Sequence, residues 1–538
     1  ALRERQPDIL SAIGEAIRHT PNEKALLTGA AWFRAQSLYE EWLPVVGAGA
    51  ATGGVHPALL SLSSAFEGEA VRAARNEFGL RALEASAAVA VAALPLVPAA
   101  SPAAERILLP LLAAFYELLH RLQSASGCDA EITDVVGVVL TVQHAAFSIP
   151  SLMRSPRLRG VMLETGERLL FLTGPGGSLE VDAEGGMLGR CFDAWEVLAA
   201  AFRAEEEIDP ALSEPAALAF NQLLGALPPA LKLPSKLPAE QGFKLLTSGI
   251  RGRLAQVLTV WCASASARQG GAVAKLRELL QAAGPPDTSI GWANLEMALA
   301  FGSAVAEMTA SEGDTEMELP MPLVQLLTGL PQILSLQLPE PWGTVLETAA
   351  AEFICSLDPW ISADRYPPTG GIGRILLGCS FQLAASPRAG APAAEATCVV
   401  VSNLAGSLVQ QLDLADECCG RLQGLCLGAN NLSHASRERL VKSAVGPLLS
   451  RLEEAQLLPA MESFASPLRH AAPPNYDVGT LSQRVVLWRL LFALLASVEP
   501  LRPDLSLEWL SMHWAWFEAA AGSPGEAAPE AAATLLTC

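Results

Sequence analysis

The chain has 538 residues, of which 51% are hydrophobic and only 17% charged, and its formal net charge is −20. That balance excludes disorder over most of the length, and the acidic excess argues against a nucleic-acid backbone binder, which needs clustered Lys and Arg. The charge suits a surface that attracts basic proteins, or serves solubility alone.

Leu and Ala dominate over Val, Ile and Tyr, which favours helix over sheet. Proline and glycine punctuate the helices, most clearly at Gly47 to Gly54, Pro95 to Pro102, Gly174 to Gly177, Pro228 to Pro238, Gly284 to Pro286, Pro367 to Gly371 and Pro467 to Pro474. Two early stretches, 85–104 and 135–153, carry no charge. The first is alanine-rich and broken by Pro95, Pro98 and Pro102; the second holds Gln143, His144, Ser148 and Pro150. A membrane span needs ~20 predominantly apolar residues, so both read as buried helices with their turns, and no membrane insertion is expected. The acidic runs Glu205 to Asp209 and Ser311 to Glu318 lie between helical patterns and read as solvated loops.

The strongest pattern begins at residue 292. Leu346, Ala350, Phe353, Leu357 and Ile361 step by three and four, as do Ile372, Leu376, Cys379 and Leu383, and then Cys398, Val401, Leu404, Leu408 and Leu412. Each run places its apolar residues on one face of a 3.6-residue helix, and each is too short to form a core alone. First helices of successive pairs begin near Trp342, Ala391 and Ser436, spaced 49 and 45 residues apart, close to the ~40–47 residues of HEAT and armadillo units. Ser436 reads as the N-cap of a helix through Leu440, Ala444, Leu448 and Leu452, which Pro447 should kink. The expected fold is all-α: a single HEAT- or armadillo-like α-solenoid over 1–538, a superhelix of antiparallel helix pairs with little or no sheet. The start at Ala1 and a helical pattern still running at Cys538 suggest an internal segment of a longer protein.

Ten cysteines are spread from Cys128 to Cys538 without a C-x-x-C pair. Cys355, Cys379, Cys398 and Cys426 fall on apolar faces and should be buried, unpaired and unreactive. Cys418, Cys419 and Cys426 lack a fourth ligand at zinc spacing, so no metal is expected. Near the end, Trp509, His513 and Trp516 share one helical face while Trp514 points elsewhere; that face is either core packing or a partner-binding aromatic patch.

Enzymatic signatures are missing. No Lys follows a Gly, no His precedes a Glu, and no G-x-S-x-G elbow occurs. The stretch Gly370-Gly371-Ile372-Gly373 has no credible strand before it and reads as a turn between paired helices. No catalytic residue, cofactor or metal is assigned, and the chain reads as a binding surface.

The order of motifs resembles the importin-β superfamily of nuclear transport receptors, and within it the transportin-SR branch. The likeness is carried by Trp292-Ala-Asn-Leu-Glu-Met-Ala-Leu-Ala-Phe, by Pro322-Leu-Val-Gln-Leu-Leu and Leu330-Pro-Gln-Ile-Leu, and by the helix Leu346 to Ile361 with Glu352 and Trp360. The run Cys398 to Leu412, with Ser402 and Asn403 at its polar centre, resembles the next repeat. Upstream, Leu169-Leu-Phe-Leu, Cys191-Phe-Asp-Ala-Trp195, and Phe243 to Leu258 with Arg251 and Arg253 resemble earlier paired helices. The resemblance covers residues 160–500.

It implies a receptor that shuttles between cytoplasm and nucleus, carries protein cargo, and meets nucleoporin phenylalanine repeats in crevices between outer helices. It also implies release by GTP-bound Ran through N-terminal repeats, which by motif order precede Ala1. The contact residues for cargo are not assigned. Receptors for phosphorylated Arg-Ser cargo read it with an arginine-rich helix, but the matching stretch, Gly525 to Cys538, has Glu526 and Glu530 and no Arg. Either that helix lies further on or such cargo is not recognised. The rival reading is a HEAT scaffold subunit of a multiprotein complex unrelated to nuclear transport.

Overall fold

The computed structural model describes residues 130–174, 186–233, 251–263, 266–283, 289–310, 318–360, 371–388, 391–408, 420–426 and 432–449, with a few single positions and short pieces elsewhere. Every regular element among the described residues is helical. The chain divides into two compact units, Ala1–Met297 and Ala298–Cys538.

Among the described residues of the first unit the longer helices are α1 (Ala130–Phe147), α2 (Pro156–Thr173), α3 (Gly186–Glu206), α4 (Ser213–Leu231), α5 (Arg251–Cys262) and α6 (Ser266–Ala283). Each packs on the helix two places along, so α1, α3 and α5 form one layer and α2, α4 and α6 the other. Across the layers α1 packs on α2, α2 on α3, α3 on α4 and α5 on α6. This is the HEAT-type α-solenoid arrangement, in which one unit's apolar face is covered by the next.

Helix α7 (Ser289–Ala310) contains the division between units. The second unit continues with α8 (Met321–Leu334), α9 (Trp342–Ser356), α10 (Gly371–Ala385), α11 (Ala391–Leu408) and α12 (His434–Leu440). Here α8 packs on α10, and α9 on α11, while α11 also packs on α12. The expected periodic faces are the buried ones. Leu346, Ala350, Phe353 and Leu357 are buried, as are Leu376, Cys379 and Leu383 with Ile372 half-buried at the start of its run, and then Cys398, Val401 and Leu404, the side chain of Leu408 lying outside the description. Ile361 and Leu412 lie outside the described residues.

Local signals explain the helix ends. Ser155 accepts a hydrogen bond from the Leu158 N–H at 3.3 Å and Pro156 opens α2, both strong start signals. At its other end the Gly174 N–H donates to Leu170 O, and a Cβ on Gly174 would run into the Ala230 carbonyl of α4. Close approach of two backbones requires glycine there.

Several expected boundaries move. Helix α4 runs through Pro228 and Pro229 to Leu231, past the break expected at Pro228. The prolines leave the Leu224 and Gly225 carbonyls without their i+4 donors, and buried Leu227, Ala230 and Leu231 hold that last turn in place despite the loss. Helix α9 ends at Ser356 instead of reaching Ile361, and a 3-10 turn, Asp358–Trp360, follows. Pro359 has no N–H for the Cys355 carbonyl and its ring crowds that oxygen. Gly371 and Gly373 belong to the first turn of α10 and not to a connecting turn.

The cap expected at Ser436 is at Ser433, whose hydroxyl accepts from the Ser436 N–H at 3.2 Å. Two serines three apart offer the same signal, and the earlier one takes the cap. Pro447 is preceded by a π-helical turn, Val441–Val445, in which the Gly446 N–H reaches Val441 O. One wide turn is a recognised way for a helix to absorb the donor and the space that proline denies it.

The uncharged stretch 135–153 is the second half of α1 and a 3-10 turn, Pro150–Arg154, with Val136, Val139, Leu140, Leu152 and Met153 buried. Among the described residues no helix is long and apolar enough to cross a membrane. Most of 85–104, the breaks at 47–54 and 467–474, Cys418, Cys419 and the face of Trp509, His513 and Trp516 lie outside the described residues.

Candidate functional site

Within the first unit, a ladder of polar contacts joins each helix pair to the next. Arg190 of α3 donates to Gly137 O at 3.4 Å and Thr141 Oγ1 at 3.0 Å on α1. Arg253 of α5 reaches back to Asp193 and, at 3.2 Å, to Glu196 on α3. Gln256 donates to Glu196 at 3.0 Å. The hydrogen bond to Asp193 holds the Arg253 guanidinium above its ordinary pKa. On the other layer Gln222 of α4 donates to Glu167 of α2.

At the turns, Arg154 pairs with Asp209, which also caps the Ala211 N–H at 3.1 Å, and Arg268 pairs with Glu206. The acidic run 205–209, expected as a solvated loop, therefore ties two repeats together. Partners in this ladder are 49 to 62 residues apart.

Beneath it lies an aromatic spine. Phe147 meets Trp195 edge-on at 5.1 Å, Trp195 lies 6.4 Å from Trp261, and Phe202 and Phe220 flank Trp261 at 6.1 and 5.7 Å. The Cys191-Phe-Asp-Ala-Trp195 motif is thus core packing, with Phe192 and Trp195 both buried. Trp360 likewise packs inward and donates through Nε1 to Ala306 O at 3.2 Å, holding a carbonyl of the last turn of α7. In α11 the Ser402 hydroxyl turns back to Cys398 O, while exposed Asn403 donates to Asp358 Oδ1 at 2.9 Å.

Of the four cysteines expected to be buried, Cys379, Cys398 and Cys426 are, and Cys355 is only half-buried. All four are free, and burial pushes each thiol up to about 12. Cys191 behaves in the same way, with Thr173 Oγ1 3.4 Å from its Sγ. Helix α9 turns the Cys355 edge outward because Phe353, Ile354 and Leu357 occupy its inner face. Among the described residues no group of His, Cys, Asp and Glu could hold a metal ion.

One cavity in the first unit has a mixed lining. Its volume is about 300 Å³, and it is walled by Tyr116, by Glu164, Glu167, Arg168 and Phe171 of α2, and by Ala226 and Pro229 of α4. Arg168 stands over the Tyr116 ring, 5.8 Å from its centroid, with Nη2 3.5 Å from the phenol oxygen. Sequence reasoning missed this site because its residues come from three helical segments and none has a motif of its own.

No protein-family model and no curated protein matches the sequence. Among solved structures the chain is similar to yeast importin-β (Kap95p), at 12% identity over 99% of this chain and 73% of that chain, with a TM-score of 0.33. A Kap95:Nup1 complex gives the same values. Kap121p follows at 11% identity, 97% and 56% coverage, and a TM-score of 0.32. At such scores the superposition carries no residue-level correspondence, and no role is transferred from it.

Proposed function

We propose that this chain is a helical-repeat transport receptor of the importin-β kind, one continuous solenoid that binds basic protein cargo. It carries that cargo through the nuclear pore under the control of Ran, shuttling between cytoplasm and nucleus and meeting nucleoporin phenylalanine repeats on the way. The reading is non-enzymatic. The observation that carries it is that, within each unit, helices stack on the helix two places along, α1 on α3 and α3 on α5 in the first and α8 on α10 and α9 on α11 in the second, as repeat surfaces built for binding do. The net charge of −20 supports basic cargo, since complementary potentials speed encounter and select partners. The order of sequence motifs from Trp292 to Leu412 supports the transport branch over other helical-repeat proteins.

The deciding experiment is a pull-down of the full-length protein with Ran loaded with GTP or GDP, alongside immobilised phenylalanine-glycine repeats. Preference for the GTP form together with retention on the repeats is the expected result. Equal or absent binding to both forms replaces this reading with a HEAT scaffold that assembles other proteins.

A further inference from the structure

We propose that the cavity between Tyr116, α2 and α4 receives one arginine side chain from a basic protein segment. The proposal deepens the cargo reading above and rests on it. Three properties of the lining select the ligand. Glu164 and Glu167 lie one turn apart on α2 and place two carboxylates on the same wall, one exposed and one half-buried. Arg168 in the same lining offsets one of the two charges, so the wall keeps a net negative charge that disfavours an anion, and an apolar occupant would strip these groups of water without replacing it.

The second property is aromatic: the rings of Tyr116 and the half-buried Phe171 line the same space. Arg168 already lies over the Tyr116 ring, so the cavity itself shows that this wall accommodates a guanidinium. An incoming guanidinium stacks on Phe171 and donates to Glu164 and Glu167, while its aliphatic stem lies along Ala226 and Pro229. A planar, forked cation suits this better than an ammonium, which cannot stack or bridge two carboxylates at once.

The third property is size. A cavity of about 300 Å³ is at the small end of ligand pockets, enough for one side chain. An acidic chain with a single-side-chain pocket calls for a basic polypeptide, with neighbouring residues of that polypeptide running over the exposed faces of α2 and α4.

The test uses fluorescence anisotropy of the full chain with two labelled peptides, one of alternating Arg and Gly and one of alternating Lys and Gly. Wild type is expected to bind the Arg peptide tighter than the Lys peptide. Phe171→Ala, and separately the double variant Glu164→Gln with Glu167→Gln, should weaken Arg-peptide binding by about tenfold and erase the preference over Lys. A control that removes the same charge at exposed positions, Glu207→Gln with Glu214→Gln, should keep the preference.

Circular dichroism at matched temperature identifies any misfolded variant, and the Phe171→Leu variant then replaces Phe171→Ala, since it keeps bulk and removes the stacking ring. Pocket variants that bind within about twofold of wild type overturn the pocket while leaving the cargo reading intact. Wild type that binds neither peptide overturns the cargo reading and the pocket with it.

Discussion

Trp261 sits at the middle of the aromatic spine, fully buried, and its indole Nε1 has no hydrogen-bond acceptor among the described residues. A buried donor without a partner costs about 1–3 kcal/mol. Trp261→Phe removes that donor while keeping a ring among Trp195, Phe202 and Phe220, so its loss of stability should stay below about 2 kcal/mol. Trp261→Ala should lose about 3–5 kcal/mol, as large aromatic truncations do. Urea denaturation of both variants checks the order, and equal losses would show that a phenyl ring at this position adds nothing over a methyl group.

The thiols give a second test at this scale. Burial holds Cys191 and Cys426 at about 12 against an ordinary 9.0, so the folded chain keeps protons that the unfolded chain releases between those values. Their stabilising contribution is whole below about pH 9 and is lost as pH rises through that window. The urea midpoint of wild type should therefore fall more steeply from about pH 9 upward than that of Cys191→Ala or Cys426→Ala. Site-resolved labelling at neutral pH should find Cys355 modified before Cys379, Cys398 and Cys426. The sequence placed all four on apolar faces, but a periodic pattern marks the centre of a face better than its edge, and Cys355 is at the edge.

At the scale of elements, most ends were legible from single residues, and errors arose where two signals competed. Ser433 and Ser436 both fit a cap, and only the course of the preceding chain decides between them. Pro228 and Pro229 read as a break because proline opposes helix interiors, yet tertiary burial of the last turn of α4 outweighs that local preference. The closeness of α2 to α4 had no signal at all beyond one glycine. Gly174→Ala forces the Ala230 backbone carbonyl to move, whereas Gly302→Ala in α7 meets the Leu326 methyl Cδ2, a side-chain end that can rotate. The first substitution should cost about 2–3 kcal/mol and the second less, in thermal or urea unfolding. The ladder cation Arg253 is one-third exposed, so Arg253→Met should cost only about 1 kcal/mol despite its two carboxylate partners.

At the scale of the molecule, the sequence disclosed the helical class and the repeat length of the second unit, where starts at Trp342 and Ala391 coincide with α9 and α11. It did not disclose the repeat of the first unit, where ladder offsets reach 62 residues and α3 and α4, at 21 and 19 residues, exceed the usual helix length of about 11–12 residues. Periodicity within a helix survives such variation, and periodicity between helices does not. The cavity was illegible for a related reason: it exists only once three segments are stacked. Because each helix contacts near neighbours, unfolding in urea should spread over several steps, with helicity lost before the slowest-exchanging amides of α3 and α5.

The ladder has one more consequence, for how such a chain is made. The ladder contacts described in the first unit reach at most 62 residues back. A nascent polypeptide emerging from the ribosome thus always finds the partner of its newest helix already synthesised, a turn or two of stacking away. Folding can keep pace with translation from the amino end, and no apolar face has to wait for a distant stretch of message to be read.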